Sequence, residues 1–181
     1  MLDSLKDLIY AAGIREFGVI SPADIEYRQV IRDICADDSC RQYGKTRACP
    51  PAVGTVEACR ERCLKYETML VFTGPFVLED SYDFEGMKRS MTEFKDIAER
   101  SDNALKPHLG DYIVLSNESC NKCPQCTYPD APCRFPDKPH HSVEGYGILV
   151  SELAQKTGVK YNNGAGTVTF FGAMLFNQAL G

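Results

Sequence analysis

The sequence predicts an α/β or α+β fold, a single domain spanning residues 1–181 in which helices pack on a central sheet and two cysteine-rich regions lie in loops. Three observations predict it. Segments with helical apolar spacing interleave with short β-prone runs, the pattern of a sheet covered by helices. The length falls within the usual range of one domain, and cysteines spread along most of the chain argue against a detachable second unit. Both cysteine groups, at 35–63 and 120–133, lie largely in irregular segments between the regular ones.

Taken in order, Leu2, Leu5, Leu8 and Ile9 recur at helical spacing, and Gly13 ends that helix. Phe17-Gly18-Val19-Ile20 is a short strand stopped by Ser21-Pro22. Residues 22–34 read as a helix burying Ile25, Val30, Ile31 and Ile34. Thr55, followed by Glu57 and Glu61, opens a helix to about Tyr66 on which Cys59 and Cys63 share one face. Met69–Thr73 is a buried strand, and residues 84–105 form a long amphipathic helix using Met87, Met91, Phe94, Ile97, Ala98 and Leu105. Tyr112–Leu115 is a further strand leading into the second cysteine group. A helix is expected over 142–157, with Ser142 as its N-cap and Gly158 as its stop. Val159–Tyr161 and Thr167–Phe171 flank the turn-rich Asn162-Asn-Gly-Ala-Gly166, which predicts a terminal hairpin.

Composition narrows the function classes. Apolar residues at 44% and charged residues at 25% suit a soluble core-forming chain. A net charge of −5 without any Lys/Arg run gives no electrostatic footprint for nucleic acid, so protein or small-molecule partners are expected. The N-terminus has no basic and apolar stretch of the secretory kind, and the apolar runs around 69–72 and 170–176 fall far short of the roughly 20 residues of a membrane span. A cytoplasmic location without membrane insertion is the expectation. Nine cysteines in a reducing compartment are poorly explained as disulfides, and their odd number leaves one unpaired.

Cys120, Cys123 and Cys126 are each separated by two residues, and Cys133 follows after six more. Three closely spaced thiolates can wrap one side of a cubic cluster while a fourth arrives from a longer excursion. Tetrahedral zinc more often takes two Cys-x-x-Cys knuckles set apart, although zinc stays open as the alternative metal. Pro124, Pro129, Pro132 and Pro136 hold this loop in turn or extended conformations. The bland reading is an ordinary loop with unligated thiols.

The first group, Cys35, Cys40 and Cys49 followed by Cys59 and Cys63, matches no common ligand formula. Cys49-Pro50-Pro51 is like the Cys-Pro ending of ferredoxin motifs, and Tyr43-Gly44 would serve as a turn. Cys59 is the expected fourth ligand and Cys63 its alternate. The bland reading makes at least one of the two, Cys63 first, a small buried hydrophobe on a core-facing helix. With both in that role, the first site would keep three protein ligands and one open position for substrate.

With Cys40-Arg-Gln-Tyr-Gly44, Cys49-Pro-Pro51, Leu78–Met87, Cys120–Cys133 with Arg134-Phe-Pro136, and Tyr161-Asn-Asn-Gly164 in view, the chain resembles an uncharacterised "predicted metal-binding protein" family of anaerobic bacteria and archaea. The resemblance covers nearly the whole length. It implies cysteine-rich metal binding and an anaerobic setting and carries no reaction with it.

Other candidates weigh less. His140 and His141 are potential ligands, but with four thiolates nearby they are expected at the start of the helix beginning near Ser142. Arg134 and Lys138 offer compensating positive charge or ordinary solvated surface. Glu79, Asp80, Asp83 and Glu85 read as a solvated acidic loop. The leading functional expectation is electron transfer to a redox partner protein through two four-iron four-sulfur clusters, held by Cys35, Cys40, Cys49 and Cys59 and by Cys120, Cys123, Cys126 and Cys133. An iron–sulfur enzyme or cofactor-maturation factor with an open cluster, and a zinc-stabilised interaction module, are the alternatives.

Overall fold

The computed structural model describes residues 2–136 and 140–177. Among these, five α-helices and five strands form an α+β fold: α1 (Leu2–Ala11), β1 (Glu16–Ile20), α2 (Gln29–Ala36), α3 (Val56–Cys63), β2 (Thr68–Val77), α4 (Phe84–Leu105), β3 (Tyr112–Ser116), β4 (His141–Ser142), α5 (Val150–Thr157) and β5 (Thr167–Phe176). The sheet runs β1-β2-β5-β3-β4 and is antiparallel except for the β3–β4 pair. No helix among the described residues is long and apolar enough to cross a membrane.

Both faces of the sheet are covered, which explains why β2 and β5 read as continuous apolar runs rather than alternating ones. Met69 and Val71 join Ala173 and Leu175 on the face that meets Cys59, Cys63 and Leu153. Leu70, Phe72 and Met174 point the other way and pack with Ile9, Phe94 and Leu105. α3 and α5 therefore cover one face, and α1 and α4 the other. Thr55 caps α3 as expected, its Oγ1 accepting from the Ala58 amide at 3.1 Å. Asp83 caps α4, its Oδ1 accepting from the Gly86 amide at 2.7 Å, so one member of the acidic loop has a structural task.

Three expectations change. The helix over 22–34 is split into a 3₁₀ turn at Pro22–Asp24 and α2, because the Arg28 amide donates to Gly147 O and Tyr27 bridges to Ile148. Consequently Ile25 and Ile31 are buried, whereas Val30 and Ile34 are 58% and 59% exposed. The helix over 142–157 shortens to α5, since Gly147 takes φ 78° and Ser142 belongs to β4 instead of acting as an N-cap. The terminal hairpin does not form: β5 pairs along its whole length with β2 and then with β3, so it becomes the middle strand. Residues 159–161 stay irregular, and Lys160 donates its amide to Glu16 Oε2.

Gly18 on β1 lies against the end of α5. A Cβ there would sit 2.3 Å from the Thr157 carbonyl oxygen and 2.9 Å from Thr157 Cβ, and neither atom is the mobile end of a side chain. Gly18→Ala is expected to destabilise the fold by about 1–3 kcal/mol, as overpacking does, read from the midpoint of urea unfolding. An unchanged midpoint would show that α5 is loosely docked.

Candidate metal centre

The first cysteine site is built by the loop after α2. Cys35 sits in the last turn of that helix. The chain then reverses through Asp38 and Arg41, at φ 51° and 57°, with Asp38 Oδ1 accepting from the Tyr43 amide at 2.8 Å. Gly44, at φ 68°, donates its amide to Pro50 O at 2.8 Å, which makes Tyr43-Gly44 the expected turn. The reversal brings Cys35, Cys40 and Cys49 to the wall of one cavity of about 430 Å³. Asn117 and Glu118, just past β3, and Ser142 and Glu144, at and just past β4, supply part of the opposite wall. The cavity thus lies beyond the carboxyl ends of the sheet's parallel strand pair, where ligand sites of α/β sheets commonly form. Ile34 lines it too, which accounts for an apolar side chain left uncovered by protein.

The second site is the loop between β3 and β4. Cys120, Cys123, Cys126 and Cys133 all line one small cavity together with Arg47 and Arg134. Short-range bonds shape this loop: Thr127 Oγ1 donates to Pro132 O at 2.8 Å, the Ala131 amide donates to Thr127 O at 2.9 Å, and Arg134 Nη1 donates to Gln125 O at 2.9 Å. Arg47 reaches across from the first loop, bonding Ala131 O and lying 5.5 Å over the Tyr128 ring. Lys138 lies outside the described residues.

The two sites are neighbours. Ser119 Oγ donates to Gln42 Oε1 at 2.9 Å, and the Ser142 amide donates to Ala48 O at 3.1 Å, so the loops are bonded to each other. Burial lowers the pKa of Lys95 on α4, opposed by Glu118 first and then by Cys120 and Cys49, one from each site.

Cys59 and Cys63 are elsewhere. Both are fully buried in the core on α3, and neither lines either cavity. Arg32 Nη2 donates to Cys59 Sγ at 3.5 Å, and Cys59 Sγ lies 3.5 Å from Val53 O as a donor. Burial pushes the Cys63 thiol up to about 12. The structure therefore brings together three of the four residues expected for the first site and all four expected for the second.

Burial raises cysteine pKa values at both cavities. Burial is the first cause raising Cys35, to about 11, with Glu144 and the thiols of Cys40 and Cys49 adding to it. Burial also raises Cys49, against the Ser142 hydroxyl, which favours the thiolate. At Cys120 burial again dominates, opposed by the backbone N–H groups of Lys122 and His140. Thiols in this state need a metal to deprotonate them, and the amide and hydroxyl donors around Cys49 and Cys120 then stabilise the ligated sulfur. Thiolate-only donor sets of this kind suit iron–sulfur clusters or zinc.

Sequence reasoning missed a polar group beside the second site. Tyr112 donates to Asp102 Oδ1 at 2.5 Å, His140 Nε2 lies 3.0 Å from Asp102 Oδ2, and Lys122 pairs with Glu99. Glu99, Asp102 and His140 offer ligand atoms within 4.8 Å of one another. The Lys122 ammonium already compensates this acidic group, which fastens the Cys120 loop to α4. No local spacing signals it, because its members come from α4, β3, the cysteine loop and the approach to β4.

The family comparison covers most of the chain: the family described as "Predicted metal-binding protein (DUF2284)" matches residues 18–176. The chain belongs to that family. Both cysteine groups and every strand except the first residues of β1 lie inside the matched region, so the family's description applies to the part that carries the two cavities. No curated protein and no solved structure shows a significant match.

His141, one residue past His140, faces inward. Arg62 donates to the Tyr146 hydroxyl at 2.6 Å, and Tyr146 lies 2.7 Å from His141 Nδ1, so the hydroxyl proton goes to a neutral ring. Burial first, then the charges of Arg62 and His140, lower His141 to about 4. Because unfolded histidine titrates near 6.5, the unfolded state alone takes up this proton as pH falls from about 6.5 towards 4. Stability should fall across that window by up to about 1.4 kcal/mol per pH unit from this group, and the contribution is absent above it. Urea titrations from pH 7.5 to 4.5 check this: the loss should be shallower in His141→Gln than in the parent, and parallel curves would contradict the assignment.

Proposed function

We propose that this is an iron–sulfur protein in which a closed four-cysteine site serves an adjacent three-cysteine site that opens on a small-molecule cavity. The observation that carries this reading is the unequal grouping of the cysteines: four around one small cavity, three on the wall of a larger apolar one, two in the core. Bound four-iron four-sulfur clusters would supply one-electron chemistry at both sites. Cys120, Cys123, Cys126 and Cys133 complete a ligand set without outside help. Cys35, Cys40 and Cys49 leave one position to be filled from the cavity, which is the arrangement of a site that binds substrate rather than one that only passes electrons.

The protein's own groups suit that division. The amides of Lys122 and His140 favour the charged form of Cys120 and the Ser142 hydroxyl that of Cys49, the kind of interaction that tunes a cluster. The hydrogen-bonded contact between the two loops keeps the sites adjacent, as electron passage from one to the other requires. The redox donor for the closed site is a partner protein in this reading.

Iron, sulfide and zinc analysis of anaerobically purified variants tests the proposal. Cys123→Ser should remove one cluster's iron and leave the other's, and Cys35→Ser should do the reverse. Cys59→Ala and Cys63→Ala should leave iron and sulfide unchanged while lowering stability, since each vacates a packed core site. Loss of iron with Cys59→Ala would restore a four-cysteine first site and a purely electron-transferring role. Stoichiometric zinc without sulfide would overturn both cluster assignments.

A further inference from the structure

Glu144 lines the same cavity as Cys35, Cys40 and Cys49. It opens the 3₁₀ turn Glu144–Tyr146, and three bonds fix that stretch of chain. The Ser142 amide donates to Ala48 O at 3.1 Å, the Gly145 amide to Ser142 Oγ at 2.9 Å, and the Arg28 amide, just before α2, to Gly147 O at 2.8 Å. A Cβ at Gly145 would sit 3.4 Å from Pro50 Cδ, so the turn lies against the residue that follows Cys49. Glu144 is therefore held between α2, which carries Cys35, and the segment that carries Cys49. The thiols of Cys35 and Cys49 both feel its charge. Among the described residues its carboxylate has no hydrogen bond or ion pair with another side chain, and no Lys or Arg lines the cavity. Glu118 lines the cavity too, but its charge also supports the Lys95 ammonium, whereas no cation acts on Glu144. Burial raises the Glu144 carboxyl, and the charge of Glu118 adds to this. A carboxylate in such a place is costly to ionise without a counter-charge, and a metal supplies one.

We propose that Glu144 is the fourth protein ligand of the three-cysteine site, its carboxylate oxygen taking the metal position that Cys35, Cys40 and Cys49 leave over. The inference rests on the reading of those cysteines as a substrate-binding metal site and names what holds the substrate's position at rest. Beside three thiolates a carboxylate is the hard donor, and it is the one that a softer incoming ligand displaces from iron. Glu144 thereby regulates the site: it closes the metal against stray donors while the cavity is empty and yields to a ligand that binds better. Apparent substrate affinity is lowered by the fraction of time the carboxylate occupies the position.

Electron paramagnetic resonance of the anaerobically metal-loaded, reduced full chain, titrated with methyl isocyanide, tests this. Methyl isocyanide is a small neutral iron ligand, so its affinity reports the fourth position rather than the charge of the cavity. In Glu144→Ala and Glu144→Gln it should bind about tenfold more tightly than in the parent, the effect of removing a ligand that holds the position about nine-tenths of the time. Free acetate should restore the parent spectrum in Glu144→Ala and leave the parent itself unchanged. Glu118→Gln, which removes a charge from the same wall, should match the parent. Loss of iron from the three-cysteine site alone in both Glu144 variants, with Glu118→Gln fully loaded, would support the ligand role as well. An unchanged spectrum and isocyanide affinity in both Glu144 variants, or an equal change in Glu118→Gln, would overturn it. Iron analysis separates the two levels: a parent whose iron content Cys35→Ser does not lower overturns the functional reading itself, whereas an iron-loaded site indifferent to Glu144 overturns only this inference.

Discussion

Two residues of parallel pairing hold the arrangement together. β4 is only His141–Ser142, yet it joins β3 at the sheet edge through Leu115 and Ser116 and receives the first cysteine loop through the bond from the Ser142 amide to Ala48 O. A strand this short contributes little stability by itself. Its position decides the rest: it anchors the end of the second cysteine loop to the sheet, aligns the first loop beside it, and sets Ser142 where its hydroxyl bonds Cys49. It also places the chain so that Gly145 donates to Ser142 Oγ at 2.9 Å and Glu144 reaches the cavity. Without that edge, the two irregular loops would keep only side-chain ties, Ser119 to Gln42, Arg47 to Ala131 and Lys122 to Glu99.

The scaffold behind this edge is conventional and was readable. β2, β3, α3 and α4 follow from apolar runs, a capping threonine and a 3.6-residue stripe, all of which are local signals. The failures have a shared cause, which is pairing between distant segments. Val159–Tyr161 looked like a strand beside Thr167–Phe171, but β5 is more apolar than an edge strand needs to be and went to the centre of the sheet. Val143, Ile148 and Leu149 continued the helical pattern of α5 towards Ser142, and only Gly145 and Gly147 in the middle of that stretch hinted at the break.

The site was legible in the same uneven way. The close spacing of Cys120, Cys123, Cys126 and Cys133 carries its own geometry, and all four line one cavity. Cys35, Cys40 and Cys49 are held together by left-handed residues and a glycine turn that no spacing rule encodes. For Cys59 and Cys63 the ligand reading and the core reading produce the same helical spacing. What separates them is the direction of the helix face, and that is set by packing of α3 against β2, β5 and α5. Asn117, Ser142 and Glu144 gave no signal at all, because a polar residue after a strand is commonplace until the fold places an open cavity beside it.

The division of thiols by exposure also bears on how such a protein would fail. Cys59 and Cys63 are shut off from solvent, and buried neutral thiols are chemically inert. Cys40 is the exposed member of the set. Oxidation proceeds from accessible sulfur through sulfenic to irreversible acids, and the first step already takes a thiol out of the set. Damage by oxygen would therefore begin at Cys40, in the loop that shapes the larger cavity, and would alter that wall before it unfolded the molecule.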